Sequence, residues 1–221
     1  MLSAAINQKA AQSDHRLPQY RHTDNHCLAN IGAQRSQTCP HSIKETAMPL
    51  TDLQHVPGAS AAPAETGGFV FNHTMLRVKD AQSSLDFYTR VLGFRLLDAR
   101  DFADAKFSLY FLALLPQDTA IPEEDTERRL WMAGIPGVLE LTHNHGTETQ
   151  DGPVYHDGNS EPRGFGHICI SVPDIHAACA RFDALDVPYQ KRLEDGRMKH
   201  LAFIKDPDGY WVEIISNTPL A

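Results

Sequence analysis

The segment Phe165-Gly166-His167-Ile168-Cys169-Ile170-Ser171-Val172-Pro173-Asp174 repeats the pattern of an earlier one, Phe71-Asn72-His73-Thr74-Met75-Leu76-Arg77-Val78-Lys79-Asp80. Both read Phe-x-His-x-x-apolar-x-Val-x-Asp, and both run into a helix-like stretch. Each is followed by a Glu set among apolar strand residues: Leu139-Glu140-Leu141 after the first, Val212-Glu213-Ile214 after the second. An internal repeat decides architecture before any single element does, so two copies of one unit are expected. His73 to Glu140 spans 67 positions and His167 to Glu213 spans 46. The excess of 21 is close to the size of one polar stretch, 116–130, with its flanks.

Within the first copy, residues 69–79 alternate as a strand does, with Phe71, His73, Met75 and Arg77 on one face. Asp80 is a helix N-cap; Leu85, Tyr88 and Leu92 carry helical spacing, and Gly93 stops the helix. Strands follow at Phe94 to Leu97, Phe107 to Leu115 and from Val138, where Glu140, Thr142 and Asn144 share a face. Residues 145–164 form a connector ending in Pro162-Arg163-Gly164, long enough to be functional or mobile. In the second copy Asp174 caps a helix with the apolar stripe Ile175, Ala178, Cys179, Phe182 and Leu185. Strands near Tyr189, at His200 to Ile204 and at Tyr210 to Ile215 complete it, separated by turns at Glu194-Asp195-Gly196 and Asp206-Pro207-Asp208-Gly209.

All ten Phe and both Trp lie after residue 68, so residues 1–67 are expected to be a disordered extension and 68–221 the folded domain. Met48 is an alternative start. The extension is charge-balanced, so the net charge of -8 belongs to the folded part; an acidic domain with no basic stripe excludes nucleic acid as a partner. The four cysteines lack a C-x-x-C spacing, and no apolar run reaches the roughly 20 residues of a membrane helix. A cytoplasmic protein with no membrane partner is expected.

Two His and two Glu without Cys suit a divalent ion of borderline-to-hard preference, since imidazole favours zinc, nickel, cobalt or iron and carboxylate tolerates harder ions. A lone strand His is more often a core or edge residue. Repetition is what favours the metal, because a matching His and a matching Glu fall at the same points of two matched units. Glu140 and Glu213 each sit between apolar neighbours, a costly place for a carboxylate without a cation.

The segments His73 to Asp80, Ser84-Leu85-Asp86-Phe87-Tyr88, Leu139 to Asn144, Pro162 to His167 and Asp206 to Glu213 resemble the glyoxalase I family of the vicinal oxygen chelate superfamily, over residues 69–217. The resemblance implies an α+β fold of two βαβββ modules, about 69–143 and 164–217, forming a cupped mixed sheet. It also implies a homodimer whose active sites are shared between subunits. The activity implied is isomerisation of the hemithioacetal of methylglyoxal and glutathione to S-D-lactoylglutathione, a carbon–sulfur lyase reaction. His73, Glu140, His167 and Glu213 correspond to the metal ligands, with Glu213 the principal base and Glu140 the opposing carboxylate. Zinc is favoured by the long loops, with nickel or cobalt as alternatives because His stands at position 73. Arg77, Asn144, Arg163, Lys191 and Arg197, with backbone from Met198, correspond to the glutathione contacts. Phe102, Leu109 and Phe111 are candidates for the wall around the methyl group. The alternatives are an epimerase or ring-cleaving dioxygenase on the same fold, or a metal-free protein that sequesters a small ligand.

Overall fold

Both copies of the repeat fold into the same order of elements because they carry the same local signals. The computed structural model describes residues 47–53 and 55–219. The readings of residues 1–46, and hence of most of the extension, lie outside them. Between 47 and 67 the chain has a short α1 (Leu50–Leu53) and a 3-10 turn at Ala64–Thr66, both with little burial.

The first copy runs β1 (His73–Val78), α2 (Ala81–Asp86) continuing as a π-helical turn to Val91, β2 (Arg95–Phe102), β3 (Phe107–Ala113), α3 (Asp125–Ala133) and β4 (Val138–Asn144). The second runs β5 (His167–Val172), α4 (Ile175–Ala184), β6 (Tyr189–Lys191), β7 (Leu201–Lys205) and β8 (Trp211–Ser216). Both N-caps act as expected: the Asp80 carboxylate accepts from the backbone N–H of Gln82 and Ser83, and that of Asp174 from His176 and Ala177. Gly93 follows the first helix in the left-handed region at φ +82°, where a side chain would be strained.

Each copy makes a four-stranded mixed sheet in the same order, β1-β4-β3-β2 and β5-β8-β7-β6. The first and last strands of each copy pair in parallel and the others antiparallel, so the His-bearing strand always lies beside the Glu-bearing one. Here 24 residues (114–137) separate β3 from β4, against five (206–210) between β7 and β8. That accounts for 19 of the 21 extra positions.

The polar stretch 116–130 is not a plain loop. Its latter half enters α3, capped by Glu124, which accepts from the N–H of Thr126 (3.0 Å) and Glu127 (2.6 Å). Met132 docks this helix on a small cluster with Leu97, Ala113 and Val138.

One larger core spans both copies, joining Leu76, Val78, Tyr88 and Leu141 to Ile170, Phe182, Val212 and Ile214. A polar joint reinforces it. Tyr88 Oη donates to Asp206 Oδ2 (2.9 Å), and the Lys79 N–H donates to Asp208 Oδ1 (2.9 Å). Burial pushes the Asp206 carboxyl up to about 7, against the pull of Tyr88 and the backbone N–H groups of Tyr210 and Asp208.

Candidate metal centre

The parallel register sets Glu140 across from Met75, one pleat from His73, and sets Glu213 across from Cys169, one pleat from His167. Side chains two residues apart share a sheet face, so each imidazole meets a carboxylate. His73 Nε2 lies 3.2 Å from Glu140 Oε2, and His167 Nε2 lies 3.3 Å from Glu213 Oε2. An aromatic ring flanks each pair: Phe111 stands edge-on to His73 with centroids 6.4 Å apart, and Phe203 edge-on to His167 at 5.2 Å. The imidazoles are 43% and 41% exposed, whereas the carboxylates are only 14% and 18% exposed. Each sheet therefore recesses an anion beneath a reachable ring.

These spacings fit two donors on one ion, because bonds of about 2.1 Å place neighbouring ligands roughly 3.0–3.4 Å apart in octahedral or tetrahedral geometry. Two imidazoles and two carboxylates are a donor set for zinc, nickel or cobalt. Among the described residues, however, no group of three or more His, Cys, Asp or Glu side chains is gathered closely enough to hold an ion. Each sheet carries two of the four expected ligands, and the chain presents two half-sites.

Two flanking contacts are new. Thr142 Oγ1 donates to Glu140 Oε1 over 3.4 Å. The Cys169 thiol lies against Glu213; burial pushes this thiol up to about 11, and the Glu213 carboxylate acts in the same direction. Strand alternation already puts Cys169 on the face of His167, and the register adds Glu213 as its neighbour.

The expected glutathione contacts distribute unevenly. Arg77 is exposed on the His73 face and borders a cavity of about 320 Å³ with Met75, Tyr155, His156, Phe165 and Tyr210. Asn144, on the Glu140 face, donates to Tyr155 Oη (2.8 Å), so the connector supplies a residue that sequence reasoning missed. Gly158 bends this connector back at φ +84°. A Cβ there would lie 1.9 Å from the Phe165 carbonyl oxygen. Arg163 is exposed and paired with Glu161 at 3.0 Å. Arg197 and Met198 are exposed in the loop after β6.

Lys191 is engaged within the chain. Its ammonium donates to the carbonyls of Met198 (2.6 Å), Leu201 (2.9 Å) and Arg192 (3.0 Å), so all three of its donors are used to fold that loop. The candidate apolar wall lies on the Glu140 face by register, since Phe111 opposes Glu140 and Leu109 opposes Thr142. Phe102 stacks on Phe107 with centroids 4.6 Å apart.

Comparison with known proteins agrees with this architecture. The family model described as Glyoxalase/Bleomycin resistance protein/Dioxygenase superfamily matches residues 70–214. The chain is 68% identical over 174 residues to a lactoylglutathione lyase of Pseudomonas putida, covering 78% of this chain and 100% of that protein. It is 57% identical over 166 residues to a lactoylglutathione lyase of Pseudomonas aeruginosa, covering 75% and 92%. Over 148 residues it is 48% identical to the glyoxalase I of Saccharomyces cerevisiae, covering 66% of this chain and 44% of that one.

Proposed function

The chain belongs to the Glyoxalase/Bleomycin resistance protein/Dioxygenase superfamily, and we infer that it isomerises the hemithioacetal of methylglyoxal and glutathione to S-D-lactoylglutathione, detoxifying methylglyoxal. The two Pseudomonas relatives, named lactoylglutathione lyases and covered almost end to end, name the reaction. The observation that carries it to the residues is the recurrence of one imidazole–carboxylate pair, at 3.2 and 3.3 Å, at matching points of both sheets.

His73, Glu140, His167 and Glu213 would hold a divalent ion. When bound, such an ion supplies Lewis-acid stabilisation of the oxyanions that develop on the substrate. Zinc is our assignment, on the long insertion before β4. Glu213 takes the proton from the hydroxyl-bearing carbon of the hemithioacetal and returns it to the neighbouring carbon. A positioned carboxylate contributes roughly 10²- to 10⁴-fold in such a step. Glu140 opposes it from the other half-site. Arg77, Asn144, Arg163 and Arg197, with backbone of Met198, orient the glutathione moiety, whose carboxylates require cations on an acidic protein. Phe111 and Leu109 keep water from the methyl end.

Two donors per sheet leave each centre half-built, so we assign the active sites to a homodimer, each pairing the first half-site of one subunit with the second half-site of its partner. The exposed side chains Phe69, Phe71 and Phe165 (80%, 78% and 44%) beside the repeats supply apolar area for that contact. Among the described residues no helix is long and apolar enough to cross a membrane. We place the enzyme in the cytoplasm, where glutathione keeps Cys169 and Cys179 reduced.

The test is metal removal by a chelator, followed by return of zinc, nickel or cobalt, with thioester formation followed from methylglyoxal and glutathione. Activity should vanish and return with at least one ion, highest with zinc, in a species of dimer mass by light scattering. Full activity in a metal-free monomer would refute the assignment.

A further inference from the structure

The imidazole of His73 has two nitrogens, and what faces the second one distinguishes this half-site. Nδ1 of His73 lies 2.8 Å from Oδ1 of Asn72. Which amide atom Asn72 presents is decided on its other side. Its Nδ2 lies against the carbonyl oxygens of Met132 (2.9 Å), Ala133 (3.2 Å) and Ile135 (2.9 Å). Carbonyl oxygens only accept, so that atom must be the NH₂ group and the atom facing His73 must be the oxygen. An oxygen with no proton requires a donor opposite it. Nδ1 of His73 therefore carries hydrogen, and in the neutral ring Nε2 keeps its lone pair, directed at Glu140 Oε2 3.2 Å away.

The carbonyls that hold Asn72 come from the C-terminal end of α3 and the residues just after it, inside the insertion present only in the first copy. The main chain is fixed at the same place, because the Val138 N–H donates to the Asn72 carbonyl (2.8 Å) and the Gly137 N–H to that of Phe71 (3.2 Å). Helix-end carbonyls have acceptor capacity to spare, and although that of Met132 also accepts from the Ile135 N–H (3.1 Å), one amide gathers all three and sets the ring of its neighbour.

We propose that Asn72 is a positioning residue that locks His73 in the Nδ1–H form with its Nε2 lone pair presented to the metal, and that the inserted helix α3 holds Asn72 in that orientation. A partner on the far nitrogen of a ligating imidazole fixes its tautomer and strengthens it as a ligand, and losing one costs roughly 10- to 100-fold in metal affinity. This proposal rests on the assignment of His73 as a ligand, but its first readout needs no metal.

The experiment uses the full chain, metal-free, at about pH 9 where imidazole is neutral, with long-range ¹H–¹⁵N correlation of the histidine rings. His73 should show the Nδ1–H form. Asn72→Ala should shift it toward Nε2–H while leaving His167 unchanged, and should raise the zinc dissociation constant, measured by chelator competition, about 10- to 100-fold. Asn72→Asp retains the acceptor and loses the NH₂ held by α3; it should keep the Nδ1–H form and recover only part of the affinity lost in Asn72→Ala, whereas a role confined to tying down α3 would leave it no better than Asn72→Ala. An Nε2–H ring in the parent protein, or a zinc affinity within twofold of the parent in Asn72→Ala, would overturn the proposal. A parent protein that binds no zinc at all would overturn the ligand assignment and this proposal's metal-binding half, while the tautomer readout would still decide the role of Asn72.

Discussion

The two sheets place the same imidazole and the same carboxylate at matching points, yet what surrounds each pair differs. Behind His73 stands Asn72; the corresponding residue in the second copy is Gly166, whose carbonyl instead accepts from Asn159 Nδ2. Glu140 receives the Thr142 hydroxyl, where the second copy has Ile215, and Glu213 meets the Cys169 thiol, where the first has Met75. A thiol is a weaker donor than a hydroxyl, so the two carboxylates differ in the partner each is given. The comparison teaches that the repeat fixes one imidazole beside one carboxylate in both sheets, while the residues around each pair are left to differ.

Glu213→Gln should have the largest effect, lowering kcat about 10²- to 10⁴-fold with the circular dichroism spectrum unchanged, and Glu140→Gln should lose at least tenfold less. Equal losses would break the asymmetry.

The joint between the copies offers a second test, because the hydroxyl of Tyr88 has only Phe182 at its counterpart and donates to Asp206 in a turn that only the second copy has. Tyr88→Phe makes the copies alike and should cost about 1–3 kcal/mol in urea unfolding, by leaving a buried acceptor short of a partner. The same carboxyl sets a pH dependence. Its folded value of about 7 lies above its ordinary one of 3.8, so the native state binds the extra proton between them. Its contribution is fully favourable below about pH 4, is lost as pH rises toward 7, and is flat above. Urea midpoints for Asp206→Asn should therefore fall less between pH 5 and pH 8 than those of the parent. An identical fall would exclude Asp206 as the source.

Arg77→Ala should raise KM for the glutathione adduct about tenfold, the weight of one charge-assisted hydrogen bond, while Lys191→Ala should instead lower thermal stability, since its donors bind only the loop. The smallest effect is expected from Cys169→Ala, a change in kcat under about threefold, as befits one weak contact. A loss above tenfold would bring the thiol into the chemistry.

Much of this was legible because it rests on local rules. Asp80 and Asp174 cap helices wherever an aspartate precedes a helical stripe, and alternation alone puts His73 with Arg77, and Glu140 with Asn144, on common faces. Helix α3 was not legible, since its sequence, Asp125 to Ala133, carries no full apolar stripe. It stands through Glu124 as cap, through ion pairs such as Arg129 with Asp125 (2.7 Å) and Arg128 with Asp98 (3.5 Å), and through Met132 in a core contributed by other strands. Lys191 shows a related limit: charge is visible in a sequence, but the carbonyls it meets, those of Met198 and Leu201 among them, are not.

By itself the sequence determined that one unit occurs twice and that each unit brings one imidazole and one carboxylate, because periodicity and capping act within a few residues of one another. Only the tertiary structure decided which donors meet. Strand pairing sets His73 against Glu140 and His167 against Glu213, and keeps the two pairs apart within the chain, since contacts across 67 and 46 positions depend on register and packing rather than on neighbours in sequence.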